Sequence, residues 1–312
     1  MSANGGPRSV ERVAVLGGGG LMGHGIVLAC LQGSECEVVL LSRRAETVER
    51  GIELVTSGPF GLERAVQRGK LDAERAEVLR KRLRGTTDYA EGLDGVDLIF
   101  ESVPEVVEQK HRVLAEVERF GPADVMVATN TSSIMISELA GALERPGRLV
   151  GTHWFYPSNV MPLVEVGRGQ LTDPDTLESV VGYLRAIGKR PVVVADSPGF
   201  FMTRFINLYL AEAMRLVELG VAGPAEIDEM VKTGLGWPMG VFELLDDAAA
   251  FDSFYHAQEY LFETCGERYA VPTLAHKVFR AGFLGDPKLK PGSKGGWYDF
   301  LGVERVPKPL KP

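Results

Sequence analysis

The sequence predicts an α/β fold: a mostly parallel sheet covered by helices, followed by an all-α C-terminal domain. Three observations carry that expectation. Short β runs alternate with helical stretches through the first half of the chain, which is the pattern of parallel strands joined by crossover helices. A glycine cluster joins the first run to the first helix. After Ser197-Pro198-Gly199 the texture becomes helical to the end. A length of 312 residues suits two domains, expected at 1–198 and 199–312.

Taken in order, Arg12-Val13-Ala14-Val15-Leu16 is the first strand, residues 22–31 the first helix, and Glu37-Val38-Val39-Leu40-Leu41 the second strand. A charged helical stretch is expected over 45–84. Further strands fall at Asp97-Leu98-Ile99-Phe100, Val125-Met126-Val127-Ala128, Arg148-Leu149-Val150-Gly151 and Pro191-Val192-Val193-Val194. Residues 201–219 carry helical periodicity, and the later helices are separated by Gly and Pro. The Pro- and Lys-rich residues 306–312 read as a loose tail.

The composition is 45% hydrophobic and 24% charged, with a formal net charge of −8. That charge argues against non-specific binding to nucleic acid or to an anionic membrane. No stretch reaches the roughly 18 apolar residues that span a bilayer. The polar, glycine-rich Met1-Ser2-Ala3-Asn4-Gly5-Gly6-Pro7 lacks the apolar core of a signal peptide, so the chain is expected to be cytoplasmic. Cys30, Cys36 and Cys265 have no metal-site spacing and read as reduced packing residues; no metal is expected.

The run Gly17-Gly18-Gly19-Gly20-Leu21-Met22-Gly23 follows a strand and opens a helix. Gly18, Gly20 and Gly23 fit G-x-G-x-x-G, in which the first glycine makes the turn. The second lets backbone approach a pyrophosphate, and the third allows close helix–strand packing. The helix N-terminus, with Leu21 and Met22, then offers N–H groups to the phosphates. This context marks a Rossmann-type dinucleotide site; Gly17 is either part of the motif or an extra residue in the turn. An NAD site usually ends the second strand with an acid that binds the ribose 2′-hydroxyl. Here Ser42-Arg43-Arg44 stands there, nineteen residues after Gly23. A hydroxyl and two guanidinium groups suit a 2′-phosphate, which favours NADP over NAD.

Four more segments put polar residues at strand ends, where ligands bind in open α/β sheets. They are Glu101-Ser102-Val103-Pro104-Glu105 with Lys110, Asn130-Thr131-Ser132-Ser133, Gly151-Thr152-His153-Trp154-Phe155-Tyr156-Pro157, and Pro162-Leu163-Val164-Glu165-Val166. Taken alone, Ser132 is better explained as a helix cap than as a catalytic serine, and His153 better as a core histidine.

Together with Ser197-Pro198-Gly199-Phe200 and Arg204, the run from Leu235 through Gly236-Trp237-Pro238-Met239-Gly240 to Leu244, and Lys294-Gly295-Gly296-Trp297-Tyr298, these segments resemble the L-3-hydroxyacyl-CoA dehydrogenase family, including its 3-hydroxybutyryl-CoA members. The resemblance covers nearly the whole chain. It implies that His153 is the acid–base residue, that Glu165 orients it, and that Ser132 holds the substrate oxygen near the nicotinamide. It also implies that Glu105 and Lys110 contact the cofactor, and that the helical domain closes the cleft and forms a homodimer. The implied substrate is an acyl thioester.

The chemistry is consistent with these residue types. Oxidising a secondary alcohol removes a hydride from carbon and a proton from oxygen. A nicotinamide takes the hydride. An imidazole takes the proton and can return it, and a carboxylate beside it fixes its tautomer. The remaining histidines fit less well: His24 faces the start of the first helix, and His111, His256 and His276 read as surface residues.

Three positions depart from the family. Tyr156 and Thr203 stand where Asn is common, and Ser42 replaces the acid of the second strand. Thr203, or Asn207 one turn further along the same helix face, is expected to replace the missing amide. The substrate therefore stays open between an acyl-CoA, a carrier-protein thioester and a free hydroxy acid of the gulonate or carnitine kind. A cofactor-binding protein without turnover is the non-enzyme alternative.

Overall fold

A computed structural model describes residues 8–248 and 250–305; the tail expected at 306–312 and the segment 1–7 lie outside the described residues. The chain divides into two compact units, the first ending at Phe200 and the second beginning at Phe201. The expected boundary, after 198, lies two residues earlier.

The first unit is built on one eight-stranded sheet. Its strands are β1 (Arg12–Leu16), β2 (Glu37–Leu41), β3 (Leu83–Thr86), β4 (Leu98–Glu101), β5 (Met126–Thr129), β6 (Leu149–Trp154), β7 (Leu163–Arg168) and β8 (Arg190–Ala195). They lie in the order β3-β2-β1-β4-β5-β6-β7-β8. All pairs are parallel except β6 with β7. The first six strands thus have the doubly wound arrangement whose ligands bind beyond the carboxyl ends, where the strand order reverses between β1 and β4.

Period-two patterning splits the core in two. Val13, Val15, Val38, Leu40, Leu98 and Phe100 belong to one apolar cluster, packed with the helix Gly23–Gly33. Their neighbours Ala14, Leu16, Val39, Leu41 and Ile99 belong to the other, packed with the helix Val107–Phe120. Strands buried on both faces read as continuous apolar runs, which is why these were visible in the sequence.

The expected helical stretch 45–84 is corrected. It breaks into Ala45–Thr56, Leu62–Gln67 and Ala73–Lys81, and its end is β3. The Ser57-Gly58-Pro59 turn ends the first of these helices. β3 is a half-exposed edge strand with one large apolar residue, Leu83, so it carries little strand signal.

The second unit contains the helices Met202–Glu218, Pro224–Gly234, Val241–Asp247, Phe251–Cys265, Thr273–Ala281 and Trp297–Leu301. Its core is aromatic. Phe251 packs edge-on to Trp297, with ring centroids 5.0 Å apart, and Tyr255 stacks on Phe279 at 3.8 Å. Cys30 and Cys36 are buried packing residues as expected, while Cys265, at a helix end, is half-buried. His276 is also half-buried, with Nδ1 2.6 Å from the Tyr255 hydroxyl, rather than a plain surface residue. No helix among the described residues is long and apolar enough to cross a membrane.

Candidate active site

The glycine turn begins where β1 ends. Gly17 has φ +77°, and its carbonyl accepts the Gly20 N–H at 2.9 Å. Gly17 is therefore a working part of the turn. A side chain at Gly23 would meet the Gly17 carbonyl oxygen at 2.3 Å, so helix and turn can approach this closely only with glycine there. At Gly20 an added Cβ would meet nothing nearer than 3.3 Å, so this side of the turn is open to an approaching group. Leu21 is exposed, Met22 precedes the first helical residue, and the buried His24 turns Nδ1 to the Gly20 carbonyl at 2.8 Å.

A cavity of about 590 Å³ adjoins this turn. Gly17, Gly20, Ser42, Arg43, Arg44, Tyr89, Ser102 and Arg112 are among its walls. Ser42 is buried, yet its hydroxyl has no hydrogen-bond partner among the described residues. A buried polar group without a partner is costly. An orphaned hydroxyl at the wall of a cationic cavity, next to an open glycine turn, fits the ribose end of a dinucleotide.

The segments after β4 and β5 are tied together by Glu105. Its Oε1 accepts from the Ser132 N–H at 2.8 Å, the Ser133 N–H at 2.9 Å, the Thr131 hydroxyl at 2.7 Å and the Ser133 hydroxyl at 3.0 Å. Burial opposes ionisation of this carboxyl. The Lys110 ammonium, 3.7 Å away, and these donors outweigh it and hold the group below the usual carboxylate range. Ser132 is thereby fixed through its backbone, and its own hydroxyl stays uncommitted among the described residues.

Lys110 lies inside the protein. It has no exposed side-chain surface. Its Nζ lies 3.1 and 3.0 Å from the two Glu101 oxygens and 2.7 Å from the Asn130 carbonyl. Its donors are used inside, at the end of β4 and on the loop after β5. Its partner Glu101 is equally buried and also accepts from the Thr129 hydroxyl and, at 2.7 Å, from the Val103 N–H. Sequence reasoning gave Glu101 and Thr129 no role, because nothing in a single chain marks which of several charges goes inside.

Asn130 completes the link. Its amide donates to Ser102 Oγ at 3.2 Å, and its Oδ1 accepts the Trp154 N–H at 3.2 Å. It joins the ends of β4 and β6 across β5.

His153 and Glu165 sit directly opposite each other in the antiparallel pair of β6 and β7. His153 Nδ1 and Glu165 Oε2 are 2.8 Å apart, and both side chains are buried. Directly opposed residues share one face of a sheet, so the register itself makes the pair. The preceding cross-strand pair on that face is Gly151 with Gly167, covered by the Phe200 ring: an added Cβ on Gly167 would meet Phe200 Cε1 at 2.6 Å. Phe155 lies 4.4 Å from the imidazole, centroid to centroid. Tyr156 meets Phe60 edge-on at 6.1 Å, and partial burial pushes its phenol pKa up.

Lys189 was not singled out from the sequence. It donates to the carbonyls of Ser158, Asn159 and Met161 at 2.7, 3.2 and 3.0 Å, and so holds the connection between β6 and β7. In the second unit, Thr203 and Asn207 are both buried, and the Asn207 amide donates to the Phe254 carbonyl at 3.3 Å. No group of three potential metal-ligating side chains occurs among the described residues.

The family model for the 3-hydroxyacyl-CoA dehydrogenase NAD binding domain matches residues 12–197, and the model for the C-terminal domain of the same family matches 199–295. The chain belongs to the 3-hydroxyacyl-CoA dehydrogenase family. It is an oxidoreductase of that family, and its first domain binds a nicotinamide cofactor. Among solved structures it is similar to (S)-3-hydroxybutyryl-CoA dehydrogenase from Ralstonia eutropha, with 32% identity over 90% of this chain and 97% of the other, and a TM-score of 0.83. Mycobacterium tuberculosis FadB2 is 31% identical over 92% of this chain and 98% of the other, with a TM-score of 0.85. The Escherichia coli 3-hydroxybutyryl-CoA dehydrogenase is 33% identical over 97% of this chain and 62% of the other, again with a TM-score of 0.85.

Proposed function

We propose that the chain interconverts the 3-hydroxy and 3-keto forms of an acyl thioester, with His153 as the general acid–base residue and NADP preferred over NAD. The observation that carries the proposal is the buried His153–Glu165 pair, set by strand register within a family of 3-hydroxyacyl-CoA dehydrogenases. When bound, the nicotinamide cofactor supplies hydride transfer at the substrate carbon.

The chain's own residues do the rest. Glu165 accepts from Nδ1–H, which fixes the tautomer that presents the Nε2 lone pair to the substrate hydroxyl. His153 takes that proton during oxidation and returns it during reduction. Glu165 stabilises the imidazolium formed in between. The uncommitted Ser132 hydroxyl donates to the substrate oxygen, holding it in line. Glu105 and, behind it, Lys110 keep Ser132 in place. Gly18, Gly20 and Gly23 with the first helix hold the pyrophosphate, and Ser42, Arg43 and Arg44 hold the 2′-phosphate.

Thr203 replaces the family's amide. Asn207 spends one amide N–H on the Phe254 carbonyl, which favours the threonine as the substitute. The second unit is proposed to form a homodimer. Phe251, Phe254, Tyr255 and Leu261 are buried in its own core, but Phe205, Met230 and Leu235 are exposed apolar residues suited to an interface.

The test is a turnover screen of NADPH and NADH against acetoacetyl-CoA and free 3-keto acids. The proposal expects NADPH-dependent reduction of the thioester. Turnover of the free acids alone would remove the thioester assignment, and a higher kcat/KM with NADH would remove the NADP assignment.

A further inference from the structure

We infer that Arg112 is a specificity-determining residue for the cofactor, supplying a third cation to the 2′-phosphate of NADP. The inference rests on the NADP reading above and goes beyond it by naming a residue outside the Ser42-Arg43-Arg44 segment.

The cavity beside the glycine turn has walls from two parts of the chain. One is the end of β2, with Ser42, Arg43 and Arg44. The other is the helix Val107–Phe120, with Gln109, Arg112, Val113 and Glu116. These four positions follow the 3–4 spacing of one helix face, so the helix turns that face to the cavity.

The charge on these walls is unusual for this protein. Three guanidinium groups face the cavity and one carboxylate, Glu116, accompanies them. The chain as a whole carries −8. Arg43, Arg44 and Arg112 line the cavity together, and none of the three makes an ion pair or side-chain hydrogen bond among the described residues. Arg112 and Glu116 are spaced i, i+4 yet form no ion pair. Their order, with the cation nearer the N-terminus, is the weaker one on a helix.

Like charges gathered on one cavity repel one another, and the repulsion is relieved when a dianion enters. The buried Ser42 hydroxyl without a partner is the independent sign that a polar group completes this wall. Guanidinium groups bind phosphate oxygens through paired N–H donors. A volume of about 590 Å³ accommodates the nucleoside end with its phosphate. An arginine stacked only on the adenine ring would serve either cofactor equally, and this is the competing role to be separated.

The test measures binding of two cofactor fragments, 2′,5′-ADP and 5′-AMP, to the intact chain by titration calorimetry. It needs no turnover. Wild type should bind 2′,5′-ADP more tightly. Arg112→Gln should weaken 2′,5′-ADP about tenfold, the effect of one lost charge-assisted contact, and leave 5′-AMP unchanged. Arg112→Lys should recover part of the loss, and an unchanged melting temperature shows that the variants are folded. If wild type binds both fragments alike, the NADP reading falls and the inference with it. If wild type prefers 2′,5′-ADP and Arg112→Gln keeps that preference, the NADP reading survives and the role of Arg112 is overturned. Equal weakening of both fragments assigns Arg112 to the adenosine and also overturns it.

Discussion

His153 and Glu165 are twelve residues apart in the chain and 2.8 Å apart in space, because antiparallel β6 and β7 place them directly opposite each other. In the proposed mechanism the carboxylate orients the imidazole by accepting from Nδ1–H. Glu165→Gln removes the charge and offers an amide that can hold the wrong tautomer. Its kcat should fall by roughly 10²–10⁴-fold, with cofactor binding intact and the pH–rate profile displaced. Steady-state kinetics across pH, with a cofactor titration by fluorescence, checks this. An unmoved profile with near-normal kcat would show that Glu165 does not orient the ring.

The buried Lys110–Glu101 pair, with neither side chain exposed, makes a stability prediction. Lys110→Met leaves the Glu101 carboxylate buried without its cation and should cost about 3–5 kcal/mol. The double variant Lys110→Met/Glu101→Gln removes both charges and should be more stable than the single one. Urea unfolding of the two variants checks the order; a double variant no more stable than the single would contradict it.

Phe200 combines buried packing with a strained backbone, φ 44°. Its ring covers Gly151 and Gly167, one cross-strand pair away from His153 and Glu165. Phe200→Ala should cost about 3–5 kcal/mol through the cavity it leaves. Phe200→Gly makes the same cavity but relieves the left-handed strain, worth about 1–2 kcal/mol. Glycine should therefore be the more stable of the two, the reverse of the usual order. Thermal melts decide it, and a less stable glycine variant would contradict the strain.

Thr203 and Asn207 share one helix face, and Asn207 donates to Phe254 within the second unit. Thr203→Val should therefore lower kcat, while Asn207→Ala should lower stability with little effect on kcat in the folded fraction. If neither variant changes kcat, this helix face does not serve the reacting oxygen.

The parallel core was legible because strands such as Val13–Leu16 and Val38–Leu41 are buried on both faces and read as apolar runs. The edge was not. Leu83-Arg84-Gly85-Thr86 becomes β3 by pairing with β2, a long-range contact that its own residues do not announce. β7 is likewise absent from the expected strands, so His153 and Glu165 could be named but not seen to face each other. Ser42 stood out because an acid was missing there. Arg112 did not, since one more arginine on a charged helix looks solvated until the cavity beside it is known. The resemblance implies that Lys110 contacts the cofactor, and its burial with Glu101 is visible only in the structure.

The role of His153 is tested most directly by single-turnover hydride transfer in His153→Ala, followed by nicotinamide absorbance with acetoacetyl-CoA as substrate. The prediction is a transfer rate lower by about 10²–10⁴-fold, with the dissociation constant for the cofactor unchanged. A near-normal transfer rate in the folded variant would contradict the assignment of His153 as the acid–base residue.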